Sequence, residues 1–534
     1  MRLDAMEPSV SSSQKQVDNT VAEAAVLVGS FGEERRVGIR PSITRSSKWV
    51  VAGTVLSKPI QLFTIILIAR LLGPASFGVF GLASSLAGTL SLMAGLGLGD
   101  AINKYLAEYH QKDNEKGTQL ASVIIWTAVS CTVFFLAVLW VARSLWVGRV
   151  FPLATSTRLV ALCLCLTLGN LLLVLLLGVF SGLQRFREFT ILNLIQAAAI
   201  AVFAASLAFY GSEGAMLAYT IGTFAAVAWG AWKLWGSERK ILTWPGLHAF
   251  RNLKTILNFS VPIWVGAIAF PPFATFTLVF LAHQANGASE LGIFNTANGL
   301  RMLVALVPAG IAAAIAPALL QEGGTHGDAG AYARLIDKSF AALVFLTLVL
   351  FIPCLFLSDL IFTIYGRAYT GAFRLFMPLT ASAAIGAIGA LLPTVMLAKN
   401  RTWWAFVFGF IKSALMVALA VLWVPRFFAT GLTWAVVTSE IVIYFSVLEF
   451  CIFIKALPGK LRLPFYSAVV VVLILMTLAM FAPEIVRWLL ALPLTAAVVI
   501  YFLRTHNEMA DWLTSLVPAP LKPRAQRILS FIAA

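Results

Sequence analysis

Apolar segments of about 20 residues recur along this chain from residue 49 to residue 504, and they constrain the fold more than any other feature. An α-helix of that length spans the hydrocarbon core of a bilayer, which is about 30 Å thick. The chain is 60% hydrophobic and only 12% charged, whereas roughly a quarter of the residues of a soluble domain are charged. The sequence therefore predicts an all-α polytopic membrane protein with about 14 transmembrane helices.

The distribution of Lys and Arg between successive loops predicts the orientation of these helices. With the N-terminus inside, the cytoplasmic loops near residues 104–116, 239–254 and 455–462 are rich in Lys and Arg, while the outer loops near residues 211 and 286 contain neither. Such a bias places both termini in the cytoplasm and accounts for the net charge of +16 without a nucleic-acid partner. The predicted outer loops are all short, which leaves no room for a catalytic domain outside the membrane.

One phrase occurs twice in the chain. "GPASFGVF" runs from Gly73 to Phe80, and "GASELGIF" from Gly287 to Phe294, so the two copies are 214 residues apart. A second pair, "GAMLAY" from Gly214 and "GLTWAV" from Gly431, is offset by 217 residues. Six predicted helices separate the copies, and an even number gives both copies the same direction through the membrane. This pattern indicates a parallel duplication of a six-helix lobe, a design that suits alternating access.

The duplication divides the chain into five parts. Residues 1–44 are polar and are predicted to form a disordered cytoplasmic tail. Residues 45–250 and 251–460 are predicted as the N-terminal and C-terminal six-helix lobes, and 461–504 as two additional transmembrane helices. Residues 505–534 mix apolar and basic side chains, which favours a cytoplasmic tail at the membrane interface.

Four ionisable residues fall near the middle of predicted spans: Lys58, Arg301, Lys412 and Glu440. Each costs about 2.5–3.5 kcal/mol at the bilayer centre, so these side chains must pair or face a wet cavity. Lys412 and Glu440 lie on consecutive spans and could neutralise each other, although Glu440 could also take part in ion coupling. Lys58 and Arg301 have no evident acidic partner, and they lie in different lobes. We predict that Lys58, Arg301 and Lys412 bind an anionic substrate in a central cleft.

Prolines interrupt the first span of each lobe at corresponding places. Pro59 follows Lys58, and Pro271 and Pro272 occupy the equivalent positions 214 residues later. Proline removes a backbone hydrogen bond and permits bending, so these residues are candidate hinges, although a harmless kink explains them equally well. The five cysteines all lie in apolar segments and show no metal-ligand spacing. We therefore predict neither a metal site nor a cofactor.

Several stretches together resemble one family. "ARLLGPASFGVFGLASSL" (69–86), "GLGLGDAINKYLAEY" (95–109) and "SGLQRFREFTILNLI" (181–195) are similar to segments of Wzx-type polysaccharide flippases, members of the multidrug/oligosaccharidyl-lipid/polysaccharide exporter superfamily. The resemblance covers about residues 45–455. It implies two six-helix lobes in a V shape and no enzymatic activity. The implied function is transfer of an undecaprenyl-diphosphate-linked oligosaccharide from the inner to the outer leaflet of a bacterial cytoplasmic membrane. Membrane lipids and other polysaccharide assembly proteins are the implied partners.

Two alternative functions remain open at this point. A proton- or sodium-coupled multidrug exporter of the same superfamily would need unpaired carboxylates in its cavity, and residues 49–234 contain no acidic residue at mid-membrane depth. A membrane-embedded glycosyltransferase or ligase would need a carboxylate or histidine base beside an outer loop. Asp359 and Glu484 lie on such loops, and the sequence suggests no partner for either of them.

Overall fold

The computed structural model describes residues 41–109, 114–151, 156–246, 250–251, 253–323 and 329–505. Residues 1–40 and 506–534, which contain most of the two predicted tails, lie outside the described residues. Within the described ranges all regular secondary structure is helical, which confirms the all-α prediction.

The helices follow one another with short connections. The first half contains α1 (Pro41–Ala94), α2 (Leu98–Tyr109), α3 (Asn114–Val141), α4 (Arg143–Val150), α5 (Thr157–Gly182), α6 (Phe186–Leu207), α7 (Gly211–Ser237) and α8 (Arg239–Leu242). The second half contains α9 (Leu253–Ile268), α10 (Pro271–Ala282), α11 (Gly287–Gly323), α12 (Ala329–Phe356), α13 (Ser358–Tyr365), α14 (Ala372–Ile388), α15 (Leu392–Ala398), α16 (Thr402–Phe453), α17 (Arg462–Phe481) and α18 (Glu484–Thr505).

Eleven helical segments of the described chain are long and apolar enough to cross a membrane. Two of them contain 52 residues, and a straight helix of that length would extend about 78 Å, far beyond a hydrocarbon core of about 30 Å. Three segments are accordingly interrupted: at Gly73, at residues 208–211 and at Phe428. With each of these three counted as two, and Leu253–Ala282 counted as one despite its break before Pro271, the described chain contains fourteen such lengths, the number that the sequence predicts.

The two copies of the repeated phrase lie at a contact between the two halves of the protein. A Cβ atom on Gly78 would lie 1.9 Å from the carbonyl oxygen of Ala288, and one on Gly292 would lie 1.9 Å from the carbonyl oxygen of Pro74. Each copy of the phrase therefore contacts the other, backbone against backbone, and glycine is required in both because no side chain fits. We call this contact between residues 73–80 and 287–294 the outer crossing, after the side on which the predicted orientation places it.

A single hydrophobic cluster surrounds the outer crossing and joins both halves. It includes matched pairs from the repeat, Phe80 with Phe294 and Ala83 with Ala297. Beside it, the buried hydroxyl of Tyr369 donates a hydrogen bond of 2.8 Å to the carbonyl oxygen of Ala69. The two halves are thus sealed against each other at the predicted outer side.

Away from the outer crossing the described residues form two further hydrophobic clusters, one mainly in each half. The exception to this division is α9, which packs on the first half: Tyr105 donates a hydrogen bond of 3.2 Å to the carbonyl oxygen of Thr255, and Trp264 donates one of 2.9 Å to that of Met93. The following helix, α10, packs instead on α16 of the second half. The predicted boundary at residue 251 stays a prediction.

A buried ion pair joins the last helix to the second half. The guanidinium of Arg487 in α18 lies 2.6 Å from a carboxylate oxygen of Asp359 in α13. Sequence reasoning left Asp359 without a partner, which is wrong, because Arg487 approaches it from an element 128 positions further along the chain. An acid held in this way is a poor general base, which weakens the case for a transferase or ligase.

Candidate functional site: an ionic cluster inside the second half

Arg301 lies in the middle of the long helix α11, about 21 Å along the helix axis from Gly287. Its side chain is 15% exposed. The other charged residues predicted for the second half come to the same place from α16, and α14 contributes a serine between them. We call the set Arg301, Ser382, Lys412 and Glu440 the ionic cluster.

Glu440 is the centre of the ionic cluster. One of its carboxylate oxygens, Oε1, accepts a hydrogen bond of 2.6 Å from Lys412 Nζ. The other, Oε2, accepts one of 2.8 Å from the hydroxyl of Ser382 and lies 3.9 Å from Arg301 Nη1. The Ser382 hydroxyl in turn accepts a hydrogen bond of 3.1 Å from Arg301 Nη1. One carboxylate therefore engages both cations, directly and through a hydroxyl bridge.

The turn in α16 brings Lys412 and Glu440 to one level. The helix is interrupted at Phe428, whose φ of 49° and ψ of −130° are not helical. Lys412 precedes this residue by about 24 Å of helix and Glu440 follows it by about 18 Å. Two antiparallel segments on either side of the turn therefore place the two side chains close together. The predicted pairing of Lys412 with Glu440 is thus present.

Small residues on α14 let α16 approach closely enough to build the cluster. Ser382 and Gly386 are four residues apart on one face of α14, and Gly389, three residues further, caps the C-terminal end of that helix. A Cβ atom on Gly389 would lie 2.3 Å from the ring of Tyr444. The Lys412 ammonium lies 5.7 Å from the centre of the same ring. Sequence reasoning did not identify Ser382 or Tyr444, although the stripe of small residues was a visible sign of close helix packing.

Arg301 corrects one expectation. The sequence suggested no acidic partner for it, but the structure pairs it with Glu440, which lies 139 positions further along the chain. Lys58 is exposed and donates a hydrogen bond of 3.2 Å to the side-chain oxygen of Gln61 in its own helix. Lys58 is not a member of the ionic cluster, and its role in substrate binding stays a prediction.

The candidate hinges differ from one another. α1 continues as a helix through Pro59 and leaves the helical conformation only at Gly73. At the equivalent place in the second half the chain does break, because α9 ends at Ile268 and α10 begins at Pro271, with Pro272 next to it. The hinge function of all three prolines stays a prediction.

The chemistry open to the cluster is anion binding. Two cations face one carboxylate, which leaves one net positive charge at mid-membrane depth. The Nε of Arg301 is buried and has no hydrogen-bond partner in the described part of the chain, so a donor remains for a ligand. A guanidinium binds phosphate oxygens through its planar fork, and an ammonium binds them as a point charge. Among the described residues no group of three or more His, Cys, Asp and Glu side chains is arranged to hold a metal ion.

Comparison with protein families gives a match over half of the chain. Residues 43–321 match the family described as "Polysaccharide biosynthesis protein". The matched region contains both copies of the repeated phrase, Lys58 and Arg301.

Two curated relatives are similar to part of the chain. Both are described as "Lipid III flippase", one from Escherichia coli (strain K12) and one from Shigella flexneri. Each is 30% identical over 185 residues, which is 33% of this chain and 42% of the relative. The chain thus matches less than half of the length of these relatives.

Solved structures share the fold. "Lipid II flippase MurJ, inward closed conformation" superimposes with a TM-score of 0.66 at 15% identity, covering 85% of this chain and 98% of that one. An inward-facing multidrug resistance MATE transporter of the MOP superfamily superimposes with a TM-score of 0.61 at 14% identity, covering 77% and 95%. These likenesses, together with the family match, confirm the resemblance that the sequence motifs indicate.

Proposed function

We propose that this chain, which belongs to the polysaccharide biosynthesis protein family, is a flippase for a lipid-linked oligosaccharide. The substrate is an oligosaccharide joined through a diphosphate to undecaprenol, and it moves from the inner to the outer leaflet of a bacterial cytoplasmic membrane. The observation that carries this proposal is the ionic cluster, because it offers two cations and a free guanidinium donor at the depth that a diphosphate must cross.

The charges at mid-membrane depth suit this substrate. Arg301, Lys412 and Lys58 supply three positive charges and Glu440 removes one, so two remain. A diphosphate diester carries two negative charges, and its passage through the bilayer centre is prohibitive unless they are compensated. In the proposed mechanism Arg301 grips phosphate oxygens through its planar fork, Lys412 and Lys58 hold the second phosphate as point charges, and the sugar travels in water between the lobes.

The two halves of the chain supply the movement. Six helices in each half, related by a parallel duplication, can rock against each other around a site near the midplane. The outer crossing closes one side of that site, and its separation would expose the ionic cluster to the outer face. In this proposal both termini lie in the cytoplasm, as the Lys and Arg distribution predicts.

A multidrug exporter is the second candidate, since an exporter shares the fold. Export of organic cations needs an accessible, unpaired carboxylate. The acidic residues described in α1 to α8 lie near helix ends, and Glu440 is committed to Lys412 and Ser382. The arrangement therefore favours an anionic substrate over a cationic one.

The test measures lipid-linked oligosaccharide in each leaflet of a strain that lacks the gene. We expect the intermediate to accumulate on the inner leaflet and wild-type protein to relieve the accumulation. Arg301→Ala and Lys58→Ala should insert normally and fail to relieve it. Arg374→Ala is the matched control, because Arg374 is an exposed arginine of α14 near the predicted outer surface and away from the cluster. Relief by Arg301→Ala equal to that by wild type would refute the site, and an outer-leaflet substrate in the empty strain would refute the function.

A further inference from the structure

We infer that Glu440 is a built-in counter-anion that lets the empty transporter return. This inference rests on the proposed function, and it concerns the half of the transport cycle in which no substrate is bound. Glu440 is a positioning residue here: it acts through the two cations and is not itself a ligand of the diphosphate.

The Glu440 carboxylate contacts the two cations of the cluster that are proposed to bind a substrate phosphate. Both of its oxygens are engaged, Oε1 by Lys412 at 2.6 Å and Oε2 by the Ser382 hydroxyl at 2.8 Å. Through that hydroxyl the carboxylate also reaches Arg301, whose Nη1 lies 3.9 Å away. Lys412 Nζ and Arg301 Nη1, two of the donors that a phosphate would take, thus already contact this carboxylate or its serine bridge.

Because the cations of the cluster are buried, they need a negative charge beside them even when no substrate is bound. The side chains of Glu440, Arg301 and Lys412 are 12%, 15% and 32% exposed. Cations removed from water must be paired, because the loss of hydration is otherwise not offset. An alternating-access transporter closes around its site twice in each cycle, once loaded and once empty. The substrate adds two negative charges in the loaded passage, whereas in the empty passage Glu440 alone supplies negative charge to the cluster.

Glu290 and Glu449, two other acids of the second half, have different partners and do not neutralise Arg301 or Lys412. Glu290 accepts a hydrogen bond of 3.2 Å from the backbone N–H of Ala429, and so caps the helical segment that follows the turn at Phe428. Glu449, two to three turns beyond Glu440 on the same helix, is held by Arg462 at 2.6 Å. Within the described spans, Glu440 is the acid that contacts cations at mid-membrane depth.

The inference predicts a separation between two modes of transport. Glu440→Gln keeps the size of the side chain and its capacity to accept from Ser382, but removes the charge. Net translocation, which requires the empty transporter to return, should fall at least about 10-fold, which is what about 1.4 kcal/mol on the return step would cause. Exchange of substrate for substrate involves only loaded passages and should stay within about threefold of wild type, the range of less than about 0.7 kcal/mol.

The experiment uses purified protein in liposomes and a water-soluble probe, radiolabelled citronellyl-diphosphate N-acetylglucosamine. Net translocation is uptake into empty vesicles, and exchange is uptake into vesicles preloaded with unlabelled probe at saturating concentration. Glu449→Gln is the matched control, since it removes the same charge from the same helix at a pair outside the cluster. It should leave both modes unchanged.

Each outcome is decisive. If Glu440→Gln loses both modes to the same degree, or neither, the inference is wrong. Should that variant not fold, Ser382→Ala carries the test: it removes the hydroxyl bridge between the Glu440 carboxylate and Arg301 and leaves every charge in place, so net translocation should fall while exchange should not. Wild-type protein that transports the probe in neither mode would refute the proposed function, and the inference with it. A failure confined to the Glu440 and Ser382 variants would leave the proposed function intact.

Discussion

The outer crossing leads to a prediction about the smallest possible side chain. Gly292→Ala would place a Cβ atom 1.9 Å from the carbonyl oxygen of Pro74, whereas ordinary contact begins near 3.4 Å. The obstacle is backbone, which no rotamer change can move aside, so α1 and α11 must separate by about 1.5 Å, the difference between these two distances. Overpacking of this kind costs typically about 1–3 kcal/mol. If that cost falls on the state that is closed at the outer crossing, the ratio of open to closed protein rises about 5- to 150-fold.

Spin labels at the predicted outer ends of the two halves would measure this shift. Tyr210 and Phe427 are exposed, 76% and 57% respectively, and both lie beside turns that the duplication relates. With the five native cysteines replaced, a label at each position reports the distance between the halves by double electron–electron resonance. We expect Gly292→Ala to enrich long distances. Gly299→Ala, on the same helix but with nothing within 4 Å of its Cβ position, should not.

A distance distribution for Gly292→Ala that matches both wild type and Gly299→Ala would refute this reasoning. It would mean that the two backbones slide past the added methyl group without opening, and that the outer crossing does not hold the closed state. Equal thermal stability of all three proteins is needed for the comparison, because a general loss of folding would broaden the distribution without separating the halves.

Two further predictions concern single contacts. Tyr369→Phe removes the buried hydrogen bond to the Ala69 carbonyl. It should raise the ratio of open to closed protein about fivefold, which corresponds to about 1 kcal/mol. Unchanged distances between the spin labels would show that this bond does not hold the halves together. Asp359→Asn leaves the guanidinium of Arg487, which is 6% exposed, without its carboxylate. It should lower stability by about 3–5 kcal/mol, seen as a lower melting temperature in detergent, and an unshifted melting temperature would contradict the structural role of the pair.

Much of the fold could be read from the sequence because insertion into lipid is a local property. A segment of about 20 apolar residues crosses the bilayer whatever its neighbours are. The repeated phrase likewise predicted two related lobes from letters alone. The need for glycine in the repeat, however, comes from the contact of Gly78 and Gly292 with the other copy. No pattern within one copy shows that the two copies touch.

The candidate site was only partly predictable. Residues at mid-span depth were identified from their cost in lipid, and the nearness of Lys412 and Glu440 followed from one turn between consecutive helices. The acidic partner of Arg301 was not predicted, because its pairing with Glu440 depends on the packing of α11 against α14 and α16. Ser382 was missed for the same reason, since an isolated serine in an apolar helix carries no signal of what it bridges.

The sequence by itself determined that the chain is an all-α polytopic membrane protein and which side chains carry charge into its apolar segments. These properties depend on the free energy of moving each segment from water into lipid. Only the tertiary structure decided which cation shares which carboxylate and which faces of the two halves meet. Those outcomes depend on helix packing, where a glycine or a serine at one position sets how closely distant parts of the chain approach.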